Sequence, residues 1–159
     1  MAPGAGQSNS YAHATLFTNR NGGETFASIV ADLQADRVRS LAFVIPNWPG
    51  WPLPLYELAL LTAHRARCQP GRVQLTIVTA EPRPLKAFGQ AAGAAIQQLL
   101  TDAGIALHTS AVAEVPRPGR LVFGDHELTV DRIVTLPRVV GLGIAGLPAG
   151  PDWFVPIDD

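Results

Sequence analysis

LAFVIPNWPGWPLPLYELALLTAHRA, residues 41–66, decides the fold. Its first part, LAFVIP, is short, apolar and bounded by Ser40 and a proline, which predicts a buried strand. From Leu53 to Cys68, Leu55, Leu58, Ala59 and Leu61 form a broad apolar stripe that contains Thr62, while His64, Arg65 and Arg67 sit where cations complement a helix C-terminus. A strand therefore feeds a helix that ends at Pro70-Gly71, and the link between them is PNWPGWPLPLYE, residues 46–57.

Outward from this unit the alternation continues. TFASIVADLQ (25–34) spaces Phe26, Ile29, Val30 and Leu33 as a short amphipathic helix capped near Thr25. VQLTIVTA (73–80) is β-branched and apolar enough for a second buried strand, closed by Glu81-Pro82. A helix over 89–102 follows, with Ala92, Ala95, Ile96, Leu99 and Leu100 as its buried face and Gly104 at its end. IALH (105–108) completes a β-α-β-α-β series, which argues for a parallel sheet covered by helices. Beyond Thr109 the short segments AVAEV, GRLVF and HELTV are separated by turn residues and predict a small antiparallel meander. IVTLP then returns as a further strand. The fold class is α/β: a Rossmann-like parallel sheet with flanking helices plus a β-meander, spanning residues 11–159 after a flexible tail over 1–10.

Composition narrows the function classes. The chain has 159 residues, 47% of them hydrophobic, and a net charge of -1, enough for one domain with a substantial core. Twelve basic and thirteen acidic residues are dispersed, so no stripe matches a nucleic-acid backbone. Cys68 is the single cysteine, which excludes an internal disulfide and CxxC chemistry and suits a cytoplasmic location. His13, His64, His108 and His126 lack metal-ligand spacing, no apolar segment is long enough to span a membrane, and no Ser-His-Asp or paired-carboxylate constellation stands out.

In an open parallel sheet a ligand sits outside the C-terminal ends of the strands, where a helix N-terminus can meet an anion. The loop 46–57 holds that place here. It has one glycine, Gly50, four prolines beginning with Pro46, and two indoles, Trp48 and Trp51. Prolines supply no N–H to a phosphate, although those at 52 and 54 are compatible with a helix's first turn. The indoles either stack on a flat ring or cover the sheet edge against another domain. Glu81, ending the second strand, is placed to hold ribose hydroxyls or is a solvated turn residue; Glu57, in the first turn of the helix, answers the helix dipole. GLGIAG, residues 141–146, spells a dinucleotide loop, yet LPAGPDW follows it, which is a turn and not a helix.

Together RSLAFVIPNWPGWPLPLYELALLTAHRA, LTIVTAEPRPLKAFG and DRIVTLPRVVGLGIAGLP resemble the FAD-dependent pyridine nucleotide-disulfide oxidoreductase superfamily, on the side of type II NADH dehydrogenases and sulfide:quinone oxidoreductases. The resemblance covers residues 11–159 and is most specific in WPLPLYELAL and LPRVVGLGIAGLP. It implies the NAD(P)-binding domain that this superfamily inserts into an FAD-binding domain. NAD(H) would then be held by Pro46, Trp48, Gly50, Trp51, Glu57 and Glu81, and electrons would pass between a pyridine nucleotide and flavin, with quinone or a related acceptor. FAD would belong to a partner domain in cis absent from this sequence, so the domain is not expected to be catalytic alone. The superfamily's GxGxxGxE turn keeps a single glycine here, and the alternative is a non-catalytic module that has lost dinucleotide binding. Apolar surface left by the absent partner would favour self-association.

Overall fold

The computed structural model describes residues 5–6, 9–48, 50–68, 73–141, 144–148, 150 and 153–155. In chain order its elements begin with Ala5–Gly6 (β1), Thr15–Leu16 (β2), Gly22–Gln34 (α1), Ser40–Ile45 (β3) and Leu53–Ala66 (α2). Gln74–Thr79 (β4), Gly89–Asp102 (α3) and Ala106–His108 (β5) complete the strand-helix alternation. Ala113–Arg117 (β6), Arg120–Phe123 (β7) and His126–Thr129 (β8) form the meander, and Arg132–Thr135 (β9) and Arg138–Val139 (β10) follow.

Five strands make a parallel sheet in the order β2-β9-β3-β4-β5. β3 lies between β9 and β4, with Phe43 opposite both Val134 and Ile77. Leu41 to Ile45 are all buried, which is why this strand reads as a continuous apolar run. Its alternate residues serve different cores. Leu41, Phe43 and Ile45 join Ile29 and Leu33 of α1, Leu55 and Leu58 of α2 and Leu100 of α3. Ala42 and Val44 join Val115, Leu121 and Phe123 of the antiparallel β6-β7-β8 meander, together with Tyr11. Helices thus cover one face of the sheet and the meander covers the other. The expected return of IVTLP is β9, which pairs parallel with both β2 and β3.

Three local expectations are corrected. α1 starts at Gly22 with Asn21 before it, so Thr25 is a buried first-turn residue and not the cap. Asn21 earns that position by closing the preceding turn: its Oδ1 accepts from the Thr18 N–H at 2.7 Å and the Thr18 hydroxyl at 2.9 Å, and its Nδ2 donates to Leu16 O at 2.8 Å. On α2, Leu61 is 51% exposed, and the fully buried Tyr56 belongs to the core in its place. On α3, Ala95 and Leu99 are exposed and the buried residues are Gly93 and Leu100. That face turns inward because the helix passes so close to the preceding loop that a Cβ on Gly93 would stand 2.8 Å from Pro84 O. A small residue marks the close approach, and apolar size alone misplaces the stripe.

At the N-terminal edge of the sheet, the Asp131 carboxylate ties β9 to β3 by accepting from the Arg39 N–H at 2.8 Å and from the Ser40 N–H and hydroxyl, each at 2.9 Å. These donors hold its pKa below the usual carboxylate value. Of the segment expected as a tail, Ala5 and Gly6 pair antiparallel with Val139 and Arg138, while residues 1–4, 7 and 8 lie outside the described residues, as does the expected helix stop at Pro70-Gly71.

Candidate functional site

Parallel strands end together, so the loops after β2, β3, β4 and β9 converge on one edge of the sheet. The chain order reverses between β3 and β9, the place where open α/β sheets leave a crevice. A cavity of about 1340 Å³ occupies this edge. Phe17 to Arg20 line it from the loop after β2, Pro46, Trp48, Gly50, Trp51 and Pro52 from the loop after β3, Pro54 from the start of α2, Glu81 and Lys86 from the segment after β4, and Leu136 and Pro137 from the segment after β9.

Five of the six residues singled out from sequence meet here: Pro46, Trp48, Gly50, Trp51 and Glu81 all line the cavity. Glu57 does not. It is the fifth residue of α2, past the first turn, and is exposed. The two indoles differ in role. Trp48 is half-buried, donates from Nε1 to Pro137 O at 3.2 Å, and receives the Tyr11 ring edge-on with centroids 5.2 Å apart. It fastens the loop after β3 to the segment after β9. Trp51 is 60% exposed and, among the described rings, meets Phe88 edge-on, at 5.0 Å. Burial, with a smaller contribution from Glu114, pushes the Tyr11 hydroxyl up to about 12, so it remains neutral.

Glu81 is anchored from three directions. The Tyr56 hydroxyl donates to Oε2 at 2.9 Å, the Thr79 hydroxyl donates to the same oxygen at 3.4 Å, and the Lys86 N–H donates to Oε1 at 3.0 Å. Burial raises the Tyr56 pKa well above its ordinary value, with the Glu81 charge adding to the effect, so Tyr56 stays a proton donor to the carboxylate. The carboxylate in turn folds residues 81–88 over the end of β4, through a buried Leu85 held at a left-handed φ of 52°. Tyr56, Arg20 and Lys86 were missed in the sequence. Tyr56 carried a usable signal, since a tyrosine facing the end of the neighbouring strand needs a partner for its hydroxyl. Arg20 and Lys86 carried none, because their loops come together only through the strand order.

The residues do not fit a pyrophosphate held by the helix start. Pro52 precedes α2 and Pro54 is its second residue, so neither offers an N–H, and Leu55 N donates to Pro52 O at 3.0 Å. Leu53 alone keeps a first-turn N–H for a ligand, where an anion-binding helix start presents several. Gly50 provides no cradle either: its φ is not positive, and a Cβ built there would meet only Trp48 O, at 3.9 Å. At GLGIAG, Leu142 and Gly143 lie outside the described residues and Leu147 N donates to Ile144 O at 3.2 Å in a turn that overlaps the motif; of LPAGPDW, residues 149, 151 and 152 lie outside the described residues, and Trp153 N donates to Gly150 O at 2.9 Å. Among the described residues there is no group of three or more His, Cys, Asp or Glu placed to hold a metal. No helix among them is long and apolar enough to cross a membrane.

Fold and cleft define a class: a Rossmann-like α/β domain with a meander on the face opposite its helices. Solved structures with this fold include the sulfide:quinone oxidoreductase of Aquifex aeolicus, at a TM-score of 0.76 and 19% identity over 96% of this chain and 39% of that one. They also include NDH2 from Plasmodium falciparum in complex with NADH, at a TM-score of 0.66 and 10% identity over 86% and 33%. The water-forming NADH oxidase of Lactobacillus brevis bound to NADH gives a TM-score of 0.62 and 13% identity over 95% and 32%. The chain therefore spans between 32% and 39% of the length of these three oxidoreductases. Its fold is that of one part of each. No family model and no curated protein sequence matches the chain.

Proposed function

We propose that this chain is the Rossmann-like domain of an FAD-dependent oxidoreductase in which the cleft has given up the pyrophosphate grip of an NAD(P) site. One observation carries the reading: α2 starts on prolines at 52 and 54 and leaves a ligand a single first-turn N–H. The fold likeness to sulfide:quinone oxidoreductase and to two proteins solved with NADH supports the class of parent enzyme. Flavin would be bound by a partner domain in cis and would supply the redox chemistry. This chain's residues would frame that chemistry from one side: Trp48 and Glu81 fix the loops, Trp51 presents a ring, and the apolar wall excludes water. Its oxidant and reductant would then meet the flavin without a nicotinamide seated on α2.

Calorimetric titration with NADH and with NADPH tests the reading. The expected outcome is no saturable heat up to about millimolar ligand, where binding is worth only about 4 kcal/mol. Micromolar NADH binding that disappears in Glu81→Ala would overturn it, by showing a working ribose clamp.

A further inference from the structure

Cationic side chains in the cleft have no role in the fold. Arg20, from the loop after β2, and Lys86, from the turn after β4, both line it. Neither side chain forms an ion pair or hydrogen bond among the described residues. Elsewhere Arg37 and Arg132 share Asp32, Arg39 pairs with Asp36, and Arg120 pairs with Glu127. The acid on the described part of the cleft wall is Glu81, and both its oxygens already accept protein donors. Two uncommitted cations against one hydrogen-bonded carboxylate leave the described part of the cavity wall net positive.

The rest of the wall is flat and apolar. Trp48 is locked by Pro137 and Tyr11, so its ring is a fixed surface, whereas the exposed Trp51 touches Phe88 alone among the described rings. Phe17, Ile45 and Leu136 extend the apolar lining. An aromatic surface suits a planar ring, and Arg and Lys heads on long stems reach an anionic group without any help from backbone N–H.

We infer that the cleft binds a planar aromatic ring carrying an anionic group, with the ring against the indoles of Trp48 and Trp51 and the anion met by the side chains of Arg20 and Lys86. This rests on the reading that the α2 start no longer takes a pyrophosphate, so that recognition has moved from backbone to side chains. An aromatic carboxylate and a nucleoside monophosphate share this chemistry.

Calorimetric titration at low ionic strength with 2-naphthoate, its neutral counterpart 2-naphthamide, and adenosine monophosphate tests it. An anionic probe is expected to bind about tenfold more tightly than the amide. That advantage should vanish in the R20Q/K86Q double variant and fall in about 0.5 M sodium chloride. Both positions are exposed, so the variant should keep its melting temperature, and the salt series on the unmodified chain is an independent reading. Preference for naphthoate alone assigns a carboxylate ligand, and an equal gain with adenosine monophosphate assigns a phosphate one. The inference is overturned if the amide binds as well as the anions, if the advantage survives in R20Q/K86Q, or if no probe binds. Tight NADH binding that persists in R20Q/K86Q would instead overturn the reading of the α2 start.

Discussion

α1 and α2 both begin at the C-terminal edge of the same parallel sheet, and both of their approach loops line the same cleft. Their starts are built in opposite ways. TNRNGGE leads into α1 with a closed side-chain turn of Thr18 and Asn21, with Gly22, Gly23 and Glu24 all retaining an N–H, and with an acid in the first turn. PNWPGWPLPLY leads into α2 with prolines, no such side-chain turn and no acid in the first turn, and neither helix start carries a side-chain cap bond. A helix begun on prolines is fixed by the stiffness of its backbone and by what its next turn buries. The loop into α1 is closed by side-chain bonds; the start of α2 is held by packing. The difference in what holds them says which polar groups are left for a ligand.

The largest expected effect comes from taking away what holds α2. Tyr56 is fully buried and its hydroxyl reaches Glu81, so it joins the start of α2 to the segment after β4. Tyr56→Ala is expected to cost about 3–5 kcal/mol in urea unfolding. Tyr56→Phe should cost about 1–2 kcal/mol, since packing stays and one bond to a carboxylate goes. If Tyr56→Ala cost no more than Tyr56→Phe, the start of α2 would be held by its polar bond after all and the contrast with α1 would break.

α1 answers to the complementary change. Asn21→Ala removes two bonds to Thr18 and one to Leu16 O, while no large apolar group is lost. The expected loss is about 1–2 kcal/mol, read from chemical unfolding. Faster amide exchange at Thr18 to Thr25, with the core of β3 unchanged, would locate the loss at the helix start. An unfolding midpoint indistinguishable from the parent would mean that Ile29 and Leu33 hold α1 by packing alone.

The legibility of the sequence follows the same division. Strand and helix identity rested on periodic apolar burial, and β3, α2, β4, α3 and β5 lie where LAFVIP, the leucine stripe, VQLTIVTA, residues 89–102 and IALH put them. The position of β9 between β2 and β3 was beyond reach, because parallel neighbours are chosen by tertiary packing across more than 80 residues. Without that order, Arg20 and Pro137 could not be placed on the cleft that Trp48 lines. The inward face of α3 was misread for a related reason: Gly93 contributes by its lack of a side chain, and hydrophobicity does not register that.

The smallest expected effect is the most telling about the lost motif. A glycine that cradles a pyrophosphate is needed because a Cβ would occupy the ligand's place or because its φ is positive. Gly50 meets neither condition. A Cβ there would touch only Trp48 O at ordinary van der Waals distance, and its backbone angle suits any residue. Gly50→Ala should therefore leave stability within about 0.5 kcal/mol, with a slight gain from the stiffer unfolded chain. Affinity for an aromatic anion should be equally unmoved, because the Arg20 and Lys86 side chains approach from other loops. Gly93→Ala is the matched control at the same sheet edge, where a Cβ would run into Pro84 O at 2.8 Å and α3 would have to shift. If Gly50→Ala abolished binding of an anionic probe while leaving the melting temperature alone, the loop after β3 would still be approaching its ligand with backbone, and α2 would have kept the function of a phosphate loop without its spelling.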